Sequence, residues 1–245
     1  MDFFTFGDLM EYIANPVGMF TIQHFIALLL LGILGCSIIK IYKNEGNRSK
    51  TRIILSLTIV FCEVTRQIVF IATNAHAWEF LPLHLCAFSV YIILIDAFVE
   101  NKFTKEIMFM LTLPGAFAAL ITPDWATNPL INFFTLQSFI IHALQVTYVW
   151  MRFRAGELEP KLKNIWIPGL FLTVIVPIIF FINNILETNF FFLMIGPSDT
   201  PLEVLQSQFG DFYIASLAVF VFMIWILIYS ILNLKEKFHK QNENT

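Results

Sequence analysis

Seven long apolar stretches constrain the fold of this chain more than any other feature of its sequence. A helix needs about 20 residues to cross a hydrocarbon core of about 30 Å, and each stretch is close to that length. Lipid offers no partner to backbone N–H and C=O groups, so these segments must be helical. We therefore predict an all-α membrane bundle of seven transmembrane helices. The helices are expected at residues 18–41, 52–74, 81–99, 106–123, 130–151, 166–186 and 211–233.

Almost the whole chain belongs to this membrane domain. Charged residues make up 13% of the chain, whereas a soluble domain carries about 25% because water must wet its surface. Too few polar residues remain for a separate soluble domain. We therefore predict one transmembrane domain over residues 18–234, preceded by an outer interfacial segment at 1–17 and followed by a cytoplasmic tail at 235–245.

The distribution of Lys and Arg predicts how the bundle is oriented. The loops after the first, third and fifth predicted helices are basic, as is the tail, whereas the loops at 75–80, 124–129 and 187–210 hold no Lys or Arg. Basic loops stay in the cytoplasm, so the N-terminus is expected outside and the C-terminus inside. We expect the membrane to be a bacterial cell membrane. No basic stripe with interleaved aromatic residues occurs, so no nucleic-acid partner is predicted.

Polar side chains within the predicted helices concentrate in the outer half of the bundle. A polar group in lipid is costly and is therefore a candidate for function. With a rise of about 1.5 Å per residue, the inner half is expected to be nearly uniformly apolar, and a polar cavity is predicted to open outward. The candidates in and beside this cavity are His24, Glu63, Arg66, His84, Cys86, Asp124, His142, Asn183 and Asn189.

Each candidate also has a purely structural interpretation. Glu63 and Arg66 are three residues apart and can pair along one helix face. A buried His24 can hydrogen-bond a neighbouring helix, and a lone cysteine often only packs. The asparagines and Asp124 can act as caps or turn residues. The cluster as a whole favours a functional site, because so many polar groups in one half of a bundle are hard to explain as separate packing solutions.

Cys86 and His142 are the candidate catalytic pair. A thiolate is favoured by a helix N-terminus or a neighbouring histidine, and Cys86 falls in the first turns of the third predicted helix. His84 lies two residues from Cys86 and projects from the other side of an ideal helix, which makes His142 the better base. Such a pair supports acyl transfer through a thioester, with membrane lipids as substrates. Glu63 or Arg66 would then orient the base or bind an anionic headgroup.

Two other functions remain open. The histidines, Cys86 and Glu63 are acceptable zinc ligands, but no HExxH or CxxC spacing supports a metal site, and we predict no cofactor. A transporter or a lipid-binding bundle would line a substrate path with the same polar residues. The apolar inner half argues against transport, whereas a kink at Pro177 or at Pro114–Gly115 would favour it.

Several short motifs resemble the YwaF-type (TP-type) family of integral membrane proteins. The most specific of them is Leu-Pro-Leu-His-Leu-Cys at residues 81–86, at the start of the third predicted helix. His24 and Glu63 match a histidine in the first helix and a glutamate in the second. The segment that ends in Thr-Pro-Asp at 122–124 is also similar to the family pattern. The resemblance extends over nearly the whole chain.

This resemblance implies kinship with eukaryotic transmembrane acyltransferases of ether lysophospholipids. The cysteine nucleophile and histidine partner of those enzymes would fall at Cys86 and His142. The chain departs from the family where Ala143, Glu187 and Phe190 replace glycine, glycine and tyrosine. These departures imply a changed acceptor or an altered lid, since the phenylalanine run at 190–192 is expected to form either a lid or an interfacial anchor.

Overall fold

The computed structural model describes residues 3–4, 16–73, 77–123, 125, 128–198 and 200–243, with side chains as far as residue 233. All the secondary-structure elements within these ranges are helices. Most of the predicted interfacial segment at 1–17 lies outside the described residues, and so does Asp124.

Each of the seven predicted helices has a counterpart in the structure. α4 and α5 are two parts of one helix, joined by a π-helical turn at Met108–Thr112. α8 is an addition within the predicted loop at 187–210, and α9 continues to Glu243, so the predicted tail extends the last helix. The helices are α1 (Ile22–Tyr42), α2 (Arg48–Ala72), α3 (Leu85–Phe98), α4 (Lys102–Ile107), α5 (Leu113–Ile121), α6 (Phe133–Arg154), α7 (Trp166–Leu186), α8 (Pro201–Phe209) and α9 (Tyr213–Glu243).

Six helical segments of the described chain are long and apolar enough to cross a membrane, so the chain is a membrane protein. α6 is the exception among the seven counterparts. It has 22 residues, but Gln137, His142, Gln145 and Arg152 lower its mean hydropathy. All four side chains are buried. They therefore face other helices, and α6 can be polar because it lies inside the bundle.

The bundle has two chemically different ends. The basic end carries the connections at 43–47, 99–101 and 155–165, and the opposite end carries those at 73–84, 122–132 and 187–212. At the starts of α1, α4 and α6, the side chain of Thr21, Asn101 or Asn132 accepts a hydrogen bond from a backbone N–H of the first turn. Such caps satisfy amide groups that the helix leaves unpaired. These three helix starts are therefore encoded locally.

The π-helical turn at Met108–Thr112 has a local cause. Pro114 has no N–H to donate to the carbonyl group of Met110, four residues earlier. The indole Nε1 of Trp225, on α9, donates to that carbonyl oxygen instead, at 2.8 Å. The helix is therefore irregular just before Pro114–Gly115, one of the two places where a kink would favour transport, and a side chain of another helix satisfies the carbonyl group that the proline leaves unpaired.

The prediction that one half of the bundle is nearly uniformly apolar is wrong. At the basic end Asp96 and Arg152 are fully buried and form an ion pair. Arg152 also donates to Glu100 at 2.8 Å and to Glu157 at 2.9 Å, and the Tyr148 hydroxyl donates to Asp96 at 3.1 Å. The sequence prediction missed this ion pair for two reasons. Hydropathy averaged over α3 hides its single acidic residue, Asp96. Arg152 was assigned to the loop after the fifth predicted helix, but it belongs to α6.

Candidate functional site

α6 organises the polar interior of the bundle. It packs against α1, α2 and α5, and most of its side chains are buried. His142, Gln145, Tyr148 and Arg152 recur every three or four residues, which places them on one face of the helix. A polar face therefore runs along α6 from His142 to the basic end.

His142 is held in one orientation. Its Nδ1 lies 2.6 Å from the carbonyl oxygen of Ser138. A carbonyl oxygen can only accept, so Nδ1 carries the hydrogen and Nε2 is the basic ring nitrogen. The Trp125 ring stacks on the imidazole, with centroids 4.8 Å apart and planes at 22°. The ring thus has the fixed tautomer and orientation that a general base requires.

Cys86 lies in the first turn of α3, which begins at Leu85 with His84 as its N-cap. The Gln145 side chain donates from Nε2 to the carbonyl oxygen of Cys86 at 2.8 Å. Gln145 follows His142 by about one turn of α6. The first turn of α3 is therefore fastened to α6 about one turn from His142.

Glu63 and Arg66 form an ion pair, with Arg66 Nη2 2.7 Å from Glu63 Oε1. Gln67 also donates to Glu63 Oε1, at 3.0 Å, which fixes the carboxylate on α2. Arg66 interacts electrostatically with both His84 and His142, and Glu63 interacts with His142. The ion pair therefore shares one electrostatic environment with the two histidines.

The geometry of His84 differs from the sequence expectation. As the N-cap of α3 it has an extended backbone, with φ −71° and ψ 157°. The helical spacing that sets His84 opposite Cys86 therefore does not apply. The His84 ring lies 5.1 Å from the Phe190 ring and 5.5 Å from the Phe192 ring, measured between centroids. His84 thus connects the start of α3 with the segment that follows α7.

Asn183 and Asn189 shape the segment that follows α7. Asn183 is 1% exposed, accepts from the Phe190 N–H at 2.8 Å and donates to the Phe190 carbonyl oxygen at 3.0 Å. Asn189 accepts from the backbone N–H groups of Met194 and Ile195 at 3.0 and 3.1 Å. Both asparagines thus bond to backbone, and their contacts fit the structural interpretation.

These hydrogen bonds hold a strained turn next to His84. Glu187, Phe191 and Phe192 have positive φ angles of 54°, 59° and 54°. This region is unfavourable for bulky residues, and such strain often accompanies ligand clamps and switches. The Tyr213 hydroxyl donates to the Phe192 carbonyl oxygen at 2.8 Å and adds a further restraint. The turn therefore lies beside His84, where the lid interpretation of residues 190–192 would place it.

His24 stands apart from the other candidates. Its Nε2 lies 2.8 Å from the Leu120 carbonyl oxygen, and its Nδ1 accepts from the Phe20 N–H at 3.1 Å. Both ring nitrogens are therefore occupied, and the ring fastens α1 to α5. The structural interpretation fits His24 better than a role in chemistry.

Three polar groups near His142 were not among the sequence candidates. Trp125 Nε1, Gln137 Oε1 and Gln145 Oε1 are buried, and none has a hydrogen-bond partner within the described chain. Unsatisfied buried polar atoms are rare and call for an explanation. The glutamines could have been found by the rule used for the histidines, since they are polar residues inside a membrane helix. Trp125 could not, because only the fold stacks it on His142.

The candidate residues that share this region lie toward the end of the bundle opposite the basic end. They are Glu63, Arg66, His84, Cys86 and His142. Within the described chain, no three His, Cys, Asp or Glu side chains converge in a way that could hold a metal ion.

The comparison with known families corrects the resemblance found in the sequence. The model of the TMEM164 family matches residues 19–229, whereas no curated protein and no solved structure matches the chain. This is a different family from the YwaF-type family, so the predicted membership is wrong. The motifs behind that prediction are short, and a proline just before a helix start, as at residues 81–86, also meets a purely local need. Because the match extends from just before α1 into α9, the chain belongs to the TMEM164 family.

Proposed function

We propose that this protein is a membrane-embedded acyltransferase that moves a fatty-acyl group between membrane lipids through a thioester on Cys86. One observation carries the proposal: the first turn of α3, which contains Cys86, is hydrogen-bonded to α6 one turn from His142. His142 is the general base, and Nε2 is the nitrogen that takes the thiol proton, because Nδ1 is bonded to Ser138.

The surroundings of Cys86 favour the thiolate. The N-terminus of a helix carries about half a positive charge, and Cys86 is the second residue of α3. Low-pKa cysteines in proteins occur at helix N-termini and beside basic groups.

The reaction follows in two transfers. His142 Nε2 accepts the thiol proton, and the Cys86 sulfur attacks the carbonyl carbon of a phospholipid ester. The carbon–oxygen bond breaks, and the imidazolium returns the proton to the departing lysolipid oxygen. The hydroxyl group of an acceptor lysolipid then loses its proton to His142 and attacks the thioester, and Cys86 leaves as a thiolate that recovers the proton.

The unsatisfied groups near His142 suit the polar atoms of such a substrate. The Trp125 Nε1–H is a buried donor, and donors of this kind stabilise the oxyanion of an acyl-transfer intermediate. The Gln145 Oε1 is a buried acceptor beside the first turn of α3, which contains Cys86. It is suited to accept a hydrogen bond from the hydroxyl group of a lysolipid. Arg66 would contact the lipid phosphate, since arginine binds phosphate well.

The orientation belongs to the same proposal. α6 is about 33 Å long at a rise of about 1.5 Å per residue, and we take it as the seventh spanning helix. The positive-inside rule assigns the basic end to the cytoplasm, with the N-terminus outside and the C-terminus inside. The reaction would then take place at the outer leaflet of a bacterial cell membrane.

The test is mass spectrometry of the intact purified protein after incubation with a mixed phospholipid extract. A fatty-acyl adduct that neutral hydroxylamine removes is expected on the wild type and on Cys36→Ala, which changes an exposed cysteine of α1. The adduct should be absent from Cys86→Ala and should form at least tenfold more slowly in His142→Gln. An adduct that persists in Cys86→Ala would refute the proposed nucleophile.

Transport is the second candidate, and the polar face of α6 favours it. Gln145, Tyr148 and Arg152 continue from His142 to the basic end, so the half of the bundle that was predicted to be apolar contains polar groups. The Ser89 and Thr112 hydroxyls, 2.9 Å apart and buried, lie on neighbouring helices. Cys86→Ser separates the candidates, because it should abolish a thioester enzyme and leave a transporter active.

A further inference from the structure

A cavity of about 610 Å³ opens at the basic end of the bundle, away from Cys86 and His142. Its walls are the connection from α3 to α4, α4 itself and the connection from α6 to α7, over residues 100–106 and 156–164. Pockets for small ligands have volumes of about 300–1,000 Å³. Most ligand pockets are apolar, whereas most of the residues that line this one are charged or polar. The cavity is therefore suited to a charged ligand.

Glu106 is a buried carboxylate on the wall of this cavity. It is 3% exposed and accepts hydrogen bonds from the Asn164 side chain, from the Lys161 N–H at 3.4 Å and from the Tyr229 hydroxyl at 3.2 Å. No ion pair joins it to a basic side chain of the described chain. A buried charge without a counter-charge is unfavourable. A ligand with a hydrogen-bonding cation would compensate it.

Two lysines of the same cavity lack an acidic partner, just as Glu106 lacks a basic one. Lys102, at the start of α4, and Lys163, just before α7, are exposed and form no ion pair within the described chain. Lys105 and Lys161, by contrast, pair with acidic neighbours at 3.0 and 3.3 Å. Lysine ammonium groups bind phosphate as point charges. The cavity therefore offers two cations to an anion and one carboxylate to a cation.

We propose that this cavity binds an amine-bearing phosphate ester, a zwitterion whose protonated primary amine donates to Glu106 and whose phosphate lies against Lys102 and Lys163. A simple anion would leave Glu106 without a counter-charge, and a simple cation would leave the two lysines without one. A primary ammonium donates hydrogen bonds to the carboxylate, whereas a trimethylammonium group has no N–H to donate. The site therefore selects the primary amine.

The direct test is isothermal titration of the full-length protein in phosphatidylcholine nanodiscs. O-phosphoethanolamine is expected to bind at least tenfold more tightly than phosphocholine, which carries the same phosphate and a trimethylammonium group. Equal affinities, or no binding of O-phosphoethanolamine, would overturn the proposal.

Variants assign the binding to this cavity. Glu106→Gln should weaken O-phosphoethanolamine binding at least tenfold, and so should the double variant Lys102→Gln/Lys163→Gln. Glu45→Gln is the matched control, because Glu45 is an exposed carboxylate that is paired with a basic side chain and does not line the cavity, and it should leave the affinity unchanged. The lysine variant changes only exposed side chains, so it keeps the test valid should Glu106→Gln fail to fold. Unchanged binding in the lysine variant would refute the site.

Two sources could supply this chemistry, namely the headgroup of a membrane phospholipid and a free zwitterion in solution. Nanodiscs in which phosphatidylethanolamine replaces a third of the phosphatidylcholine distinguish them. If the lipid headgroup occupies the cavity, the apparent affinity for O-phosphoethanolamine falls at least fivefold by competition. If the affinity is unchanged, the free zwitterion is the ligand.

Discussion

Replacement of Arg152 by methionine should lower the free energy of unfolding by about 3–5 kcal/mol, because it leaves a buried carboxylate without its cation. Three carboxylates lose a partner, but they are unequally exposed: the side chain of Asp96 is 0% exposed, that of Glu157 is 18% and that of Glu100 is 39%. Water and the remaining basic side chains can solvate the last two. The cost therefore falls mainly on Asp96, which retains only hydrogen bonds from neutral groups such as Tyr148.

A double-mutant cycle tests this reasoning. Asp96→Asn removes the stranded charge, so it should cost much less in the Arg152→Met background than in the wild type, with a coupling of about 1–3 kcal/mol. The measurement is denaturant unfolding in bicelles, followed by tryptophan fluorescence. Glu159→Gln breaks an exposed ion pair and should change the stability by less than about 1 kcal/mol. Additive single effects, or an Arg152→Met effect no larger than that of Glu159→Gln, would refute a buried ion pair.

Three further predictions follow from local geometry. Gly35→Ala should destabilise the α1–α6 contact, because a Cβ there would lie 2.8 Å from a threonine hydroxyl of α6, whereas Gly32→Ala, with nothing within 4 Å, should not lower the melting temperature. Asn183→Ala should speed limited proteolysis after α7, at a cost of about 1–3 kcal/mol for the unsatisfied backbone groups, and the exposed Asn184→Ala should not. Burial acts to raise the pKa of the Glu100 carboxyl, but hydrogen bonds from two basic side chains outweigh it and lower the pKa below its usual 4.5. The stabilisation from Glu100 is therefore complete above pH 4.5 and is lost as the pH falls through the lower pKa of the folded state. In Glu100→Gln the melting temperature should depend less on pH across that range.

The sequence predicted the helices well because each is specified by local features. Hydropathy located all seven, and the boundaries moved by a few residues at capping side chains such as Asn132. The short helix α8 was not predicted, because part of its support is tertiary: Gln206 on α8 bonds to the backbone at Met194 and Gly196. Contacts of that kind leave no periodic signal in a single sequence.

The candidate site was predicted in part for a related reason. A rule that treats each polar residue in a helix as a candidate finds Cys86 and His142, but it does not say which helices meet. The Gln145 hydrogen bond to Cys86 joins residues that are 59 positions apart, and the ion pair of Asp96 with Arg152 spans 56. Pairings over such distances depend on the packed bundle.

The π-helical turn between α4 and α5 fixes the angular phase between two distant regions of one helix. Glu106 must point into the cavity at the basic end, while Gly115, nine residues further on, must face Leu85 beside Cys86 in the first turn of α3. The turn holds one residue more than an α-helical turn, so everything after it lags by about 100° behind its position in a regular helix of the same sequence. A regular α-helical turn at Met108–Thr112, formed without removing a residue, would turn one of these surfaces away from its partner, although no side chain of either region had been altered.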